Sequence, residues 1–103
     1  MTTFDYHQLD DLIHSRIRLA VMAILGSADQ AEFTYLRDRT GATDGNLGAH
    51  LRKLEEAGYV EAVKEFVDRK PITRYSLTPK GREAFRRYVE RLERLLEGVE
   101  EED

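Results

Sequence analysis

The chain has no cysteine and no tryptophan, and only two prolines among its 103 residues. The missing cysteines exclude a disulfide framework, a thiolate metal site and a cysteine nucleophile together. Long apolar runs are missing too: the longest, Leu19 to Leu25, falls far short of the roughly 20 residues a membrane-crossing helix needs. The first residues, MTTFDYH, lack the basic and then apolar pattern of a secretion signal, so the expected address is the cytoplasm, with no membrane partner. There is no serine, histidine and acid constellation, no glycine-rich phosphate loop and no metal-ligand motif. An enzyme and a bound cofactor are therefore not expected.

What is there is charge. Charged residues make up 35% of the chain and hydrophobic ones 41%, which suits one soluble, helix-rich domain over residues 1–103, large enough to bury a core unaided. The net charge of −4 argues against a polyanionic partner unless the cations are concentrated. They are: residues 1 to 33 carry a net −3, residues 34 to 80 a net +2, and residues 81 to 103 a net −3. Any anion-binding surface belongs in the middle segment.

Leu9, Leu12, Ile13, Ile17, Ala20, Val21, Ile24 and Leu25 recur at spacings of three and four, predicting a first helix over about 7–26 that stops at Gly26. Ser15 can cap a restart after His14, which leaves two shorter helices open. Ala31 to Thr34 reads as a brief extended piece, with Thr34 capping a second helix from Tyr35 to Arg39 that Gly41 ends. Thr43 then caps a third helix running to Ala57, with Leu47, Leu51 and Leu54 as its buried stripe. The segments YVEAVKEFV and TRYSL predict two antiparallel strands around the polar turn DRKPI. Thr78-Pro79 starts a last helix over about 78–98, whose stripe is Phe85, Tyr88, Val89, Leu92, Leu95, Leu96 and Val99. The fold class is mainly α with a small β-hairpin: a winged helix-turn-helix, with the helix-turn-helix over about 34–57 and the wing over about 59–77.

In a helix-turn-helix the second helix lies in the major groove, so its outer face must carry hydrogen-bonding groups. Thr43, Asn46, Ala49, His50 and Lys53 fall on or beside that face, and Asn46 and His50 are the candidate base readers, since asparagine can pair bidentately with adenine. Gly45, Gly48 and Ala49 remove bulk that would hold the helix away. Asp44 reads first as a macrodipole or capping residue and only second as a cytosine contact. Lys64, Arg69, Lys70 and Arg74 make the wing cationic, suited to phosphates or the minor groove.

The residues Leu9-Asp10, Ile13-His14-Ser15, Arg18-Leu19, Phe33, Leu36-Arg37, Thr43 to Leu47, His50-Leu51, Lys53 to Glu55, Gly58 to Val60, Leu77-Thr78, Gly81-Arg82 and Phe85 resemble small single-domain winged-helix transcriptional regulators of bacteria and archaea, relatives of the MarR and ArsR groups. The TDGNL and LTPKGR segments carry the resemblance most specifically. It implies a dimeric repressor or activator joined by its first and last helices. The position after Leu47 resembles a serine site in that family and is Gly48 here.

A long apolar stripe on the last helix also predicts a homodimer, with Leu9, Leu12, Ile13, Tyr88, Leu92, Leu95, Leu96 and Val99 at the interface. Two-fold symmetry would read a pseudo-palindromic duplex whose half-sites lie roughly 34 Å apart. Three alternatives stay open. The stripe packs back on its own chain; the domain docks a protein and binds no DNA; or His7, Asp10 or Asp11, and His14 hold a metal, which the lack of a thiolate or a third clear histidine disfavours. A small-molecule effector near Tyr6, Tyr88 and the first helix is a further open expectation.

Overall fold

The computed structural model describes residues 9–101, the last three through their backbone alone. Its elements are α1 (Arg16–Ser27), β1 (Ala31–Glu32), α2 (Phe33–Thr40), α3 (Asp44–Glu56), β2 (Val60–Val67), β3 (Lys70–Leu77) and α4 (Pro79–Glu101). They build the expected winged helix. The sheet order is β1-β3-β2, antiparallel throughout, with Ala31 opposite Tyr75 and Val60 opposite Leu77.

The first helix is shorter than the periodicity predicts: a start after Ser15 is observed, but what precedes it among the described residues is a turn and not a second helix. Residues 11–13 form a turn, and α1 begins only after Ser15. The cause is Asp10: its Oδ1 accepts from the backbone N–H of Leu12 at 2.9 Å and of Ile13 at 3.4 Å. A carboxylate that captures nearby amides competes with helix formation. Ser15 occupies the N-cap position, yet makes no side-chain capping bond. The second helix starts at Phe33, two residues before Tyr35, so Thr34 lies within it and Glu32 precedes it. Gly41 ends it in the left-handed region at φ 72°, its N–H bonded to the Arg37 carbonyl.

Leu47, Leu51 and Leu54 are buried as the spacing predicts. They join Val21, Met22 and Leu25 of α1, Leu36 of α2, and Val60, Tyr75 and Leu77 of the sheet in one core. Each fully buried leucine contributes roughly 1.5–3 kcal/mol. The three leucines therefore anchor α3 by one face and leave the other to solvent.

β3 begins at Lys70, so Pro71 and Ile72 are strand residues rather than part of a loop, and the turn is Asp68-Arg69 alone. Both turn residues have positive φ, 51° and 67°, the signature of a two-residue mirror-image turn that matches strand twist. Val67 and Lys70 close that turn, so the next pair, Phe66 and Pro71, is the non-hydrogen-bonded one by antiparallel alternation. The amide Pro71 lacks would have faced outward, past the end of β1. Proline is tolerated there.

Candidate nucleic-acid interface

Thr43 Oγ1 accepts from the Asn46 N–H at 3.1 Å, which fixes the first turn of α3. Beside that turn, Asp44 bonds Arg37 of α2 at 3.1 Å, and Arg37 also reaches Asp38 at 3.3 Å. Donation to the Asp44 carboxylate, then to that of Asp38, raises the Arg37 guanidinium pKa above its ordinary value. Asp44 thus has a structural role at the positive end of α3.

Asn46 and Lys53 are exposed, whereas Ala49 and His50 are half-buried. His50 is held from behind. Arg18 Nη1 donates to His50 Nδ1 at 2.8 Å, while Arg18 Nε donates to the Leu12 carbonyl at 2.5 Å. Arginine has no acceptor, so Nδ1 must accept and the neutral ring carries its hydrogen on Nε2. Burial, with the Arg18 and Lys53 charges behind it, lowers the His50 pKa below its ordinary 6.5. What His50 offers a partner is one donor at Nε2.

Two cations belong to this surface that the sequence reading missed. Arg16 lines a polar concavity of about 460 Å³ with Thr40, Thr43, Asn46 and His50. Arg52 is exposed on α3, and its Nη1 would lie 3.6 Å from a Cβ on Gly48. Arg16 is brought there by the fold alone. The signal for Arg52 was its position three residues beyond Ala49, on the flank that Gly45 and Gly48 leave bare.

Lys64, Arg69 and Lys70 are exposed along the wing. Arg74 differs: its guanidinium pairs with Glu65 across the strands. The base of the wing is tied to the end of α3. Thr78 Oγ1 donates to the Gly58 carbonyl at 2.5 Å, the Thr78 N–H donates to the Tyr59 carbonyl at 3.0 Å, and the Gly81 N–H donates to Thr78 Oγ1 at 2.9 Å. Tyr59 donates in turn to Asp10 Oδ2 at 2.6 Å. Burial first, and this bond second, push its pKa up to about 12. One joint therefore holds the end of α3, both ends of the hairpin and the start of α4.

Among the residues expected at a subunit interface, Leu9, Ile13, Tyr88 and Leu95 are buried in the chain's own core, and Leu12 and Leu92 pack half-buried against it. The turn made by Asp10 folds Leu9 and Ile13 into that core, so this much of the stripe is covered without a partner. Leu96 is 51% exposed, and the Val99 side chain lies outside the described residues. Of the place suggested for an effector, the Tyr88 hydroxyl lies 2.7 Å from His14 Nδ1, and Tyr6 lies outside the described residues. An open apolar groove of about 770 Å³ sits elsewhere, between Ala23 and Gly26 of α1 and Phe85 and Val89 of α4. Of the metal alternative, Asp10 and His14 are occupied as described, and His7 is outside the described residues. Among the described residues no cluster of three metal-ligating side chains occurs.

Residues 17–96 match the model of the winged helix DNA-binding domain. The chain is 37% identical over 89 residues to an uncharacterised protein of Methanocaldococcus jannaschii, covering 86% of this chain and 97% of that one. It superposes with a TM-score of 0.80 on a transcriptional regulator homologue from Pyrococcus horikoshii, at 31% identity and over 85% and 87% of the two chains. A putative regulator of the MarR family from Enterococcus faecalis gives 0.68 at 26% identity, over 88% and 81%. Helix-turn-helix, hairpin and matched span agree, and the chain belongs to the family of winged helix DNA-binding domains.

Proposed function

We propose that the protein is a homodimeric transcriptional regulator that binds double-stranded DNA sequence-specifically, with α3 in the major groove and the hairpin on phosphates or the adjacent minor groove. One observation carries this reading. The outer face of α3 presents Asn46, the Nε2 donor of His50, Arg52 and Lys53, and the hairpin tied to its end carries Lys64, Arg69 and Lys70 with no ion-pair partner among the described residues. Neutral hydrogen-bonding groups in the centre and cations at the flanks match base edges bordered by phosphates. Net negative charge elsewhere limits indiscriminate adsorption and leaves binding dependent on this patch.

Dimerisation rests on α4, where Val89 and Leu96 are 38% and 51% exposed beside the groove of Phe85. A second copy related by a two-fold axis covers such a stripe and presents two copies of α3 to a pseudo-palindrome. The Pyrococcus horikoshii relative, a transcriptional regulator homologue, supports the regulatory assignment.

The test is fluorescence anisotropy with duplexes selected from a random pool. Affinity should fall steeply as salt rises, by about 0.9 logarithmic units per contacted phosphate for each tenfold step in salt. Asn46→Ala combined with Arg69→Glu and Lys70→Glu should abolish selection and flatten that slope. Unchanged affinity in the triple variant would exclude this mode of binding, and a wild-type protein indifferent to every duplex would leave the domain as a protein-docking module.

A further inference from the structure

Phe66 is 80% exposed, the most exposed large apolar side chain among the described residues. A single exposed apolar residue is ordinary, but its surroundings here are not. Side chains alternate along a strand, so Val60, Ala62, Lys64 and Phe66 of β2 share one face with their partners Leu77, Tyr75, Thr73 and Pro71 of β3. That face carries no acid. Glu61 and Glu65 lie on the reverse, where Glu65 is taken by Arg74.

The inner end of this face is core, through Val60, Tyr75 and Leu77. Burial first, and then the charge of Glu55, raise the Tyr75 pKa against the opposing charge of Arg52; both charges belong to α3, so the face is turned toward α3. Its outer end is solvent, and there Phe66 is the cross-strand partner of Pro71 on the same face, in the closely spaced kind of pair, with Lys64 one pleat away. Arg69 and Lys70 cap the tip. The backbone of the tip is held in an unusual form, with Asp68 and Arg69 both at positive φ, a conformation that persists only where the surrounding ladder imposes it. An aromatic group backed by a rigid ring, flanked by cations and pointed to the same side as α3, has the chemistry of an apolar insertion into a polyanion.

We propose that Phe66, backed by Pro71, is a wedge that enters the minor groove of the bound duplex at a flexible pyrimidine–purine step, partly unstacks it and bends the DNA. This rests on the DNA-binding reading above. Lys64, Arg69 and Lys70 hold the phosphates on either side, and the ring occupies the opened step. Apolar wedges of this kind kink DNA by roughly 20–90° and add specificity at positions no hydrogen bond reads, because steps differ in how easily they open.

The experiment uses the full chain and a duplex selected by the wild-type protein, labelled at both ends for energy transfer and carrying 2-aminopurine at successive positions outside the major-groove contacts. Binding by anisotropy is recorded in parallel. Wild type should raise 2-aminopurine fluorescence at one step per bound hairpin and shorten the end-to-end distance. Phe66→Ala should stay bound while losing both signals, and Phe66→Leu should retain both in part. An unchanged thermal melt of Phe66→Ala is expected from its exposure. Wild type bound with neither signal, or Phe66→Ala bound with both intact, overturns the wedge and leaves DNA binding standing. A lowered melt in Phe66→Ala also overturns it, by showing a packing role. If wild type selects no duplex at all, the underlying reading falls and the wedge falls with it.

Discussion

A Cβ placed on Gly81 would run into the Tyr59 carbonyl oxygen and lie 2.7 Å from its carbon, where no side chain fits. The LTPKG segment therefore needs glycine because α4 starts in contact with backbone. Gly81→Ala should cost about 3 kcal/mol in urea denaturation, and should loosen the wing along with α4. His50 gives a second prediction at this scale. Its pKa in the folded chain lies below its ordinary 6.5, so near and below that value the unfolded chain binds more protons, and stability must fall as pH drops. Thermal melts taken from about pH 7.5 down to about pH 5.5 should decline less in His50→Gln than in wild type. Equal declines would mean that Arg18 and His50 part readily. The residues of this site were legible in kind and not in company. Asn46 and Lys53 could be placed outward from leucine spacing alone, whereas the Arg18 partner of His50 comes from a segment that periodicity does not bring to it, and the Glu65 partner of Arg74 depends on a strand register that the predicted hairpin leaves open.

The hairpin turn is built with the wrong residue for its geometry. Arg69 sits at φ 67°, where glycine is favoured and an L side chain is strained by roughly 1 kcal/mol. Arg69→Gly should therefore raise stability by about 0.5–1 kcal/mol while weakening duplex binding, and the two opposite signs are measurable by thermal melt and anisotropy. A variant that gains stability and keeps full affinity would show that the guanidinium contributes nothing to binding. Two elements, α3 and α4, were readable from sequence because each opens on a capping threonine and continues with apolar residues at helical spacing. The stretch from Leu9 to His14 was not, because its spacing is helical and the Asp10 carboxylate that breaks it acts through hydrogen bonds spacing cannot report. Pro71 misled in the opposite direction. It reads as part of the turn, and only the pairing register shows that it is a strand residue whose missing amide faces an edge with no neighbour.

The molecule is elongated, 59 Å along its longest axis with a radius of gyration of 15.7 Å, against roughly 13 Å for a compact chain of this length. An extended protomer buries less of its own surface, which is consistent with α4 leaving Val89 and Leu96 uncovered. Val89→Glu with Leu96→Glu should convert the proposed dimer to monomer by sedimentation velocity while leaving the protomer's circular dichroism unchanged. A dimer that survives both changes would place the contact on another surface. The fold class was fully legible at this scale, whereas the extent of self-coverage was not: the same stripe serves a partner or its own chain, and the turn at Asp10 commits its inner half to the chain.

Because Gly58, Tyr59 and Thr78 meet at one joint, the reading helix and the hairpin cannot swing independently. The protomer acts as a rigid caliper whose two jaws keep a constant separation along the duplex. In the proposed dimer, adaptation to differently spaced sequences would then come from how two calipers are set against each other, and a switching signal would have its leverage between subunits.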